Sequence, residues 1–115
     1  MIADDSDAIR MVLKDILDIG NHQLVSEAKD GQDAVEKFNL TKPDLVLLDY
    51  AMPKKDGREA LREIIANDPK AKVIMITASD NLNTINECID IGSCAFILKP
   101  FDFNEVLKII SDVLA

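Results

Sequence analysis

The sequence predicts an α/β fold in which a mostly parallel sheet lies between layers of helices. Three observations carry this. Unbroken apolar runs recur at Leu45-Val46-Leu47-Leu48, Val73-Ile74-Met75-Ile76 and Ala95-Phe96-Ile97-Leu98, the pattern of strands buried on both faces. Between them the apolar period changes to that of helices with one buried stripe. Turn and capping residues stand where the period changes. Strands alternating with helices imply parallel strands joined by crossovers.

In chain order, Met1-Ile2-Ala3 forms a short first strand that ends at Asp4-Asp5. Ser6 caps the first helix, whose stripe is Ile9, Val12, Leu13, Ile16 and Leu17, and Gly20-Asn21 ends it. Leu24-Val25 opens a weaker strand, expected near a sheet edge. Lys29-Asp30-Gly31 turns the chain into a second helix with Ala34, Val35 and Phe38 inward. Lys42-Pro43-Asp44 delivers it into the Leu45–Leu48 strand. Ala60, Leu61, Ile64 and Ile65 mark the third helix, which stops at Asp68-Pro69 because a residue before proline avoids helical angles. Leu82, Ile85, Cys88 and Ile89 mark the fourth, closed by Gly92. Asp102 caps the fifth, with Val106, Ile109, Ile110, Val113 and Leu114 as its stripe.

A length of 115 residues fits one domain, residues 1–115, and 48% hydrophobic with 30% charged residues is a globular composition. The net charge of −8 disfavours direct binding to nucleic acid or to an anionic membrane, both of which call for a basic face. No apolar run approaches a membrane span, and the first residues lack the basic and apolar regions of a signal peptide. Cys88 and Cys94 form neither a CxxC pair nor a secreted disulfide framework, so a reduced, cytoplasmic protein is expected, with both cysteines in or near the core. His22, the one histidine, is expected to be exposed in a loop, and Lys54-Lys55 and Lys70 with Lys72 to be solvated loop charges.

In an open α/β sheet, ligands bind beyond the carboxyl ends of the strands. There the sequence places Asp4 and Asp5 after the first strand, Asp49 after the third, Thr77 with Ala78-Ser79 after the fourth, and Lys99-Pro100 after the fifth. One rim thus gathers three carboxylates, a hydroxyl and an ammonium. Two like charges at about 4 Å cost about 4 kcal/mol at an effective dielectric near 20, so such a cluster implies a divalent cation. Oxygen-only donors suit Mg²⁺ or Mn²⁺, which commonly partner a phosphoryl group. One carboxylate can then act as nucleophile and become an aspartyl phosphate, with Thr77 and Lys99 on the phosphoryl oxygens. Each residue alone has a plainer role. Asp4-Asp5-Ser6-Asp7 can be acidic capping of a helix, Asp49 a turn residue before Met52-Pro53, Thr77 a strand residue and Lys99 a solvated strand end. Four strand ends with matched chemistry favour the functional reading.

Asp4-Asp5-Ser6, Leu45-Val46-Leu47-Leu48-Asp49-Tyr50-Ala51-Met52-Pro53, Asp56-Gly57, Ile76-Thr77-Ala78 and Leu98-Lys99-Pro100-Phe101 together resemble a response-regulator receiver domain of the stand-alone chemotaxis-regulator type, over essentially the whole chain. The resemblance implies a flavodoxin-like, doubly wound sheet of five parallel strands in the order 2-1-3-4-5, with five helices. It implies that Asp49 accepts a phosphoryl group from a phosphohistidine on a sensor kinase. Asp5, Asp49 and the Ala51 carbonyl would bind Mg²⁺ directly and Asp4 through water. Thr77 would turn toward a phosphoryl oxygen, Lys99 would pair with another, and the Lys99–Pro100 bond would be cis. Phe96 matches the aromatic that follows Thr77, and the face made by the fourth helix, fifth strand and fifth helix would change its partner preference. A histidine kinase or phosphotransfer protein upstream, a protein target downstream, and a monomer or a weak dimer through that face complete the expectation.

This chain also departs from the family pattern. Met1-Ile2-Ala3 is shorter than the apolar first strand that members carry, so the chain is expected to start late or to be trimmed, at a cost in pairing and burial. Ala51 and Ser79 are small where neighbours of the phosphoryl group tune water access. Phe96 lacks the hydroxyl of a tyrosine. No DNA-binding segment follows Ala115, so output is expected through protein contacts or a separate domain. Three other readings compete with the switch. A hydrolase working through an aspartyl phosphate would place an acid two residues after its nucleophile, where Ala51 stands. A flavin-binding module would need a hydroxyl- and glycine-rich phosphate loop instead of Asp4-Asp5-Ser6-Asp7. A receiver-like protein that binds partners without phosphorylation would not need the complete set of matched residues.

Overall fold

The computed structural model describes all of residues 1–115. The strands are β1 (Ile2–Ala3), β2 (Glu27–Ala28), β3 (Val46–Asp49), β4 (Val73–Thr77) and β5 (Ala95–Leu98). They alternate with α1 (Asp7–Ile19), α2 (Gly31–Thr41), α3 (Gly57–Asn67), α4 (Leu82–Ile91) and α5 (Phe103–Leu114). All pairings are parallel, and the order is β2-β1-β3-β4-β5. The chain steps outward from β1 to β2 and then returns to place β3 on the other side of β1. The carboxyl ends of β1 and β3 therefore flank the switch in strand order, where a crevice opens.

Side-chain alternation along the central strands builds a core on each face of the sheet. Val46, Leu48, Val73 and Met75 pack with Ala34, Val35, Phe38, Leu61 and Ile64 beneath α2 and α3. Leu47, Ile74, Ile76 and Ile97 pack with Leu13, Ile16, Leu17, Val106 and Ile110 beneath α1 and α5. Although β1 is only two residues long, it pairs on both sides, and Met1, Ile2 and Ala3 are buried. The expected loss of burial does not occur.

Capping agrees with the turn chemistry. Ser6, Asp30, Asp56 and Asp102 accept main-chain N–H groups at the starts of α1, α2, α3 and α5, and Gly92 closes α4 with a positive φ of 140°. The Asp102 carboxylate accepts from the Glu105 N–H at 2.7 Å. Asp102→Ala is expected to lower stability by about 1 kcal/mol, seen in urea unfolding as a lower midpoint with an unchanged slope.

Several expectations need correction. β2 forms at Glu27–Ala28 rather than Leu24-Val25. The main-chain groups of Ile2 and Asp4 reach Ser26 and Ala28, while Leu24 packs beneath α1 and α5 and Val25 faces out. On α1, Val12 is exposed and Arg10 is buried in its stead. On α4, Leu82 and Ile89 are exposed, leaving Ile85 and Cys88 inward. β5 is an edge strand with Phe96 37% exposed, so it is not buried on both faces. Cys94 is exposed, and His22 is half-buried near Gly20 and Leu107. Lys55 is half-buried and pairs with Glu63. No helix is long and apolar enough to cross a membrane.

Candidate functional site

Sheet register assembles the rim. Ala3 lies beside Leu48, and Asp49 beside Ile76, so the residues that follow β1 and β3 emerge together. Asp4 is fully buried and Asp49 is 4% exposed, whereas Asp5 is open to solvent. One oxygen from each of Asp4, Asp5 and Asp49 lies within 4.8 Å of the others. Lys99, at the end of β5, donates from Nζ to Asp4 Oδ2 at 3.1 Å and to Asp49 Oδ1 at 3.3 Å. Folding therefore joins a lysine to an aspartate 95 positions away in the chain.

The electrostatics follow from burial. Burial, and then the negative charge of Asp4, push the Asp49 carboxyl up to about 6, against the partial offset of Lys99. Burial alone would lower the Lys99 ammonium, but the hydrogen bond it donates to Asp4 and the charges of Asp49 and Asp4 outweigh it and hold the lysine above its usual value. Asp4 is held on every side. Its N–H donates to the Ala28 carbonyl at 3.1 Å, and its Oδ1 accepts from the Ser6 N–H at 2.9 Å.

The remaining predicted residues lie around this cluster. Ala51 is exposed on the loop two residues beyond Asp49. Thr77 is buried at the end of β4, and its Oγ1 accepts from the Ser79 N–H at 3.1 Å. Phe96 stands on β5, 37% exposed, and lines a small cavity of about 10 Å³ together with Thr77, Tyr50, Ile85 and Cys88. The Lys99–Pro100 peptide is cis.

Two charged residues near the site escaped the sequence reading. Arg10 and Glu27 form an ion pair between α1 and β2, with Arg10 Nε 3.2 Å from Glu27 Oε1. The available signal was the placement of Arg10 at helical spacing from Leu13 and Leu17, on the stripe that should be apolar. The Glu87 carboxylate also ties α4 to α3 through Arg58 at 2.8 Å and Arg62 at 3.4 Å.

Carboxylate, ammonium and hydroxyl groups on one rim form a set of oxygen donors and counter-charges suited to a hard divalent cation beside a phosphoryl group. Comparison with known proteins identifies the family. The family model of the response regulator receiver domain matches residues 1–111. Chemotaxis protein CheY of Listeria monocytogenes is 42% identical over 108 residues, covering 94% of this chain and 91% of that protein. Protein CcdB of Bacillus subtilis is 40% identical over 114 residues, covering 99% and 95%. The CheX–CheY–BeF₃–Mg²⁺ complex of Borrelia burgdorferi contains a chain that superposes with a TM-score of 0.96 at 35% identity, covering 99% of this chain and 87% of that one. With sheet order, rim chemistry and sequence in agreement over nearly all of its length, the chain belongs to the response regulator receiver domains of two-component systems, in the CheY-like group.

Proposed function

We propose that residues 1–115 act as a single phospho-accepting switch in which Asp49 takes a phosphoryl group from a phosphohistidine. The convergence of Asp4, Asp5 and Asp49 on Lys99 at the carboxyl ends of β1, β3 and β5 is the observation that carries this reading. Lys99 engages Asp49 Oδ1, which leaves Oδ2 to attack phosphorus. The P–O bond forms as the P–N bond to the donor imidazole breaks, and the imidazole leaves with that electron pair. Asp5 and Asp49 with the Ala51 carbonyl, and Asp4 through water, would hold Mg²⁺ or Mn²⁺. The bound ion supplies positive charge to the phosphoryl oxygens. Three oxygen donors within 4.8 Å, one of them open to solvent, fit such an ion.

The output follows from charge turned into shape. A phosphoryl group adds about −1.5 to −2 charges and three acceptor oxygens. Lys99 pairs with one oxygen, and Thr77 gives up the Ser79 N–H to donate its hydroxyl to another. The cavity beside Phe96 is too small for a ring while Thr77 keeps its present place. Movement of Thr77 toward Asp49 opens space for Phe96 to turn inward and changes the surface of α4, β5 and α5. On this reading the domain catalyses only its own phosphorylation and dephosphorylation. It works in the cytoplasm between a histidine kinase or phosphotransfer protein and a protein target. It is a monomer or a weak dimer through the α4-β5-α5 face.

Incubation with acetyl phosphate and Mg²⁺ tests this by intact mass. A gain of one phosphoryl group is expected, suppressed by chelator and lost in Asp49→Asn. A folded protein with no gain would refute the switch, and steady turnover of added phosphate esters would favour a hydrolase instead.

A further inference from the structure

The stripe of α1 that faces the sheet carries one full charge. Arg10 is 7% exposed, and a buried guanidinium persists only when its donors are satisfied. Here each nitrogen has a partner. Nη1 donates to the main-chain carbonyl of Asp4 at 2.7 Å, Nε donates to Glu27 Oε1 at 3.2 Å, and Nη2 pairs with Asp7. Glu27 is braced in turn, because its Oε2 pairs with Lys14 at 2.8 Å.

The contact with Asp4 bears on the site through peptide geometry. A carbonyl shares a rigid plane with the following N–H and Cα. Pinning the Asp4 oxygen therefore fixes the plane that leads into Asp5. Asp4 itself is secured by Ala28, Ser6 and Lys99. Asp5 is exposed, and its N–H and Cα lie in this plane, which sets where its side chain starts. We propose that Arg10, braced by Glu27, is a positioning residue that aims the Asp5 carboxylate at Asp49 and thereby sets the affinity of the rim for its divalent cation. The inference rests on the cation reading above.

Direct titration with Mn²⁺, with free ion counted by electron paramagnetic resonance, separates the two. Wild-type protein is expected to bind one ion and Asp49→Asn to lose it. A wild type that binds none overturns the cation reading itself, and this inference with it. Arg10→Met keeps the aliphatic stem but removes the donors, and is expected to weaken Mn²⁺ about tenfold, the usual effect of losing a partner that orients a ligand. Glu27→Gln leaves Arg10 in place with a weaker brace and is expected to weaken Mn²⁺ about threefold, less than loss of the orienting group itself. Arg10→Lys is expected to recover part of the loss through its one ammonium.

Val35→Ala, a cavity in the opposite core, controls for lost stability and should keep wild-type affinity. Arg10→Met binding as tightly as wild type, or Val35→Ala weakened as much as Arg10→Met, would overturn the inference. Should Arg10→Met not fold, Glu27→Gln decides, with weakening in support and wild-type affinity against.

Discussion

Asp49→Asn is expected to make the cation-free fold more stable at pH 8. Asp49 is 4% exposed, and its carboxyl is raised from 3.8 to about 6, first by burial and then by the charge of Asp4. A carboxyl whose pKa is higher in the folded state binds its proton more tightly there than in the unfolded chain. Stability is therefore lost as pH rises from 3.8 through about 6, and stays lost above. A shift of that size corresponds to at most about 3 kcal/mol. That ceiling already includes the partial offset from Lys99, and because the amide introduced by Asp49→Asn is itself desolvated the expected net gain is about 1–2 kcal/mol. Urea unfolding with chelator at pH 5 and pH 8 measures it. The advantage of Asp49→Asn should be clear at pH 8 and smaller at pH 5. An Asn variant less stable than wild type at pH 8, or an advantage independent of pH, would contradict the strained-carboxylate account. The physical meaning is that the rim sacrifices stability to hold a reactive, partly unneutralised acid.

Gly57→Ala should damage the fold and the site together. Gly57 opens α3 against the end of β3, and its N–H donates to the Tyr50 carbonyl at 2.8 Å. A Cβ there would lie 2.1 Å from the Asp49 carbonyl oxygen and 2.7 Å from Tyr50 Cα. Both are main-chain atoms, so the clash can be relieved only by moving α3 away or by shifting the strand end that presents Asp49. A loss of about 3 kcal/mol is expected in urea unfolding. Phosphoryl uptake from acetyl phosphate should slow by roughly tenfold or more, since small displacements of a reacting group are costly. Gly20→Ala is the contrast. Its Cβ meets Leu107 and the ring of His22, side chains that can turn, so uptake should be unchanged. A Gly57→Ala protein with wild-type stability would show that the close approach of α3 to β3 is not needed.

Much of this was legible because strand ends are legible. Leu45–Leu48 and Val73–Ile76 are apolar enough that no other element fits them, and the polar residues that end them must fall on one rim once the sheet is parallel. Asp4, Asp5, Asp49, Thr77 and Lys99 are all readable in this way, from strand ends alone. Legibility ends where apolar period and burial part company. Period says which face of an element is apolar but not how much of that face is covered. α4 and β5 lie at the sheet edge, so Leu82, Ile89 and Phe96 stay exposed. At the opposite edge, β2 is set by main-chain pairing to β1, which falls on Glu27–Ala28 rather than on the more apolar Leu24-Val25. Arg10 was missed for the converse reason. Helical spacing places it on the inward stripe, but its burial also depends on the Asp4 carbonyl and on Glu27 of β2 meeting it there, and the pairing with β2 is not encoded locally.

The central claim, that Asp49 is the group that takes the phosphoryl, is tested most directly by locating the modification. Borohydride reduces an aspartyl phosphate to homoserine, which peptide mass spectrometry assigns to one position. After acetyl phosphate and Mg²⁺, homoserine is expected at position 49 and at no other aspartate. Homoserine at Asp4 or Asp5, or none in a protein that has gained a phosphoryl group, would contradict it.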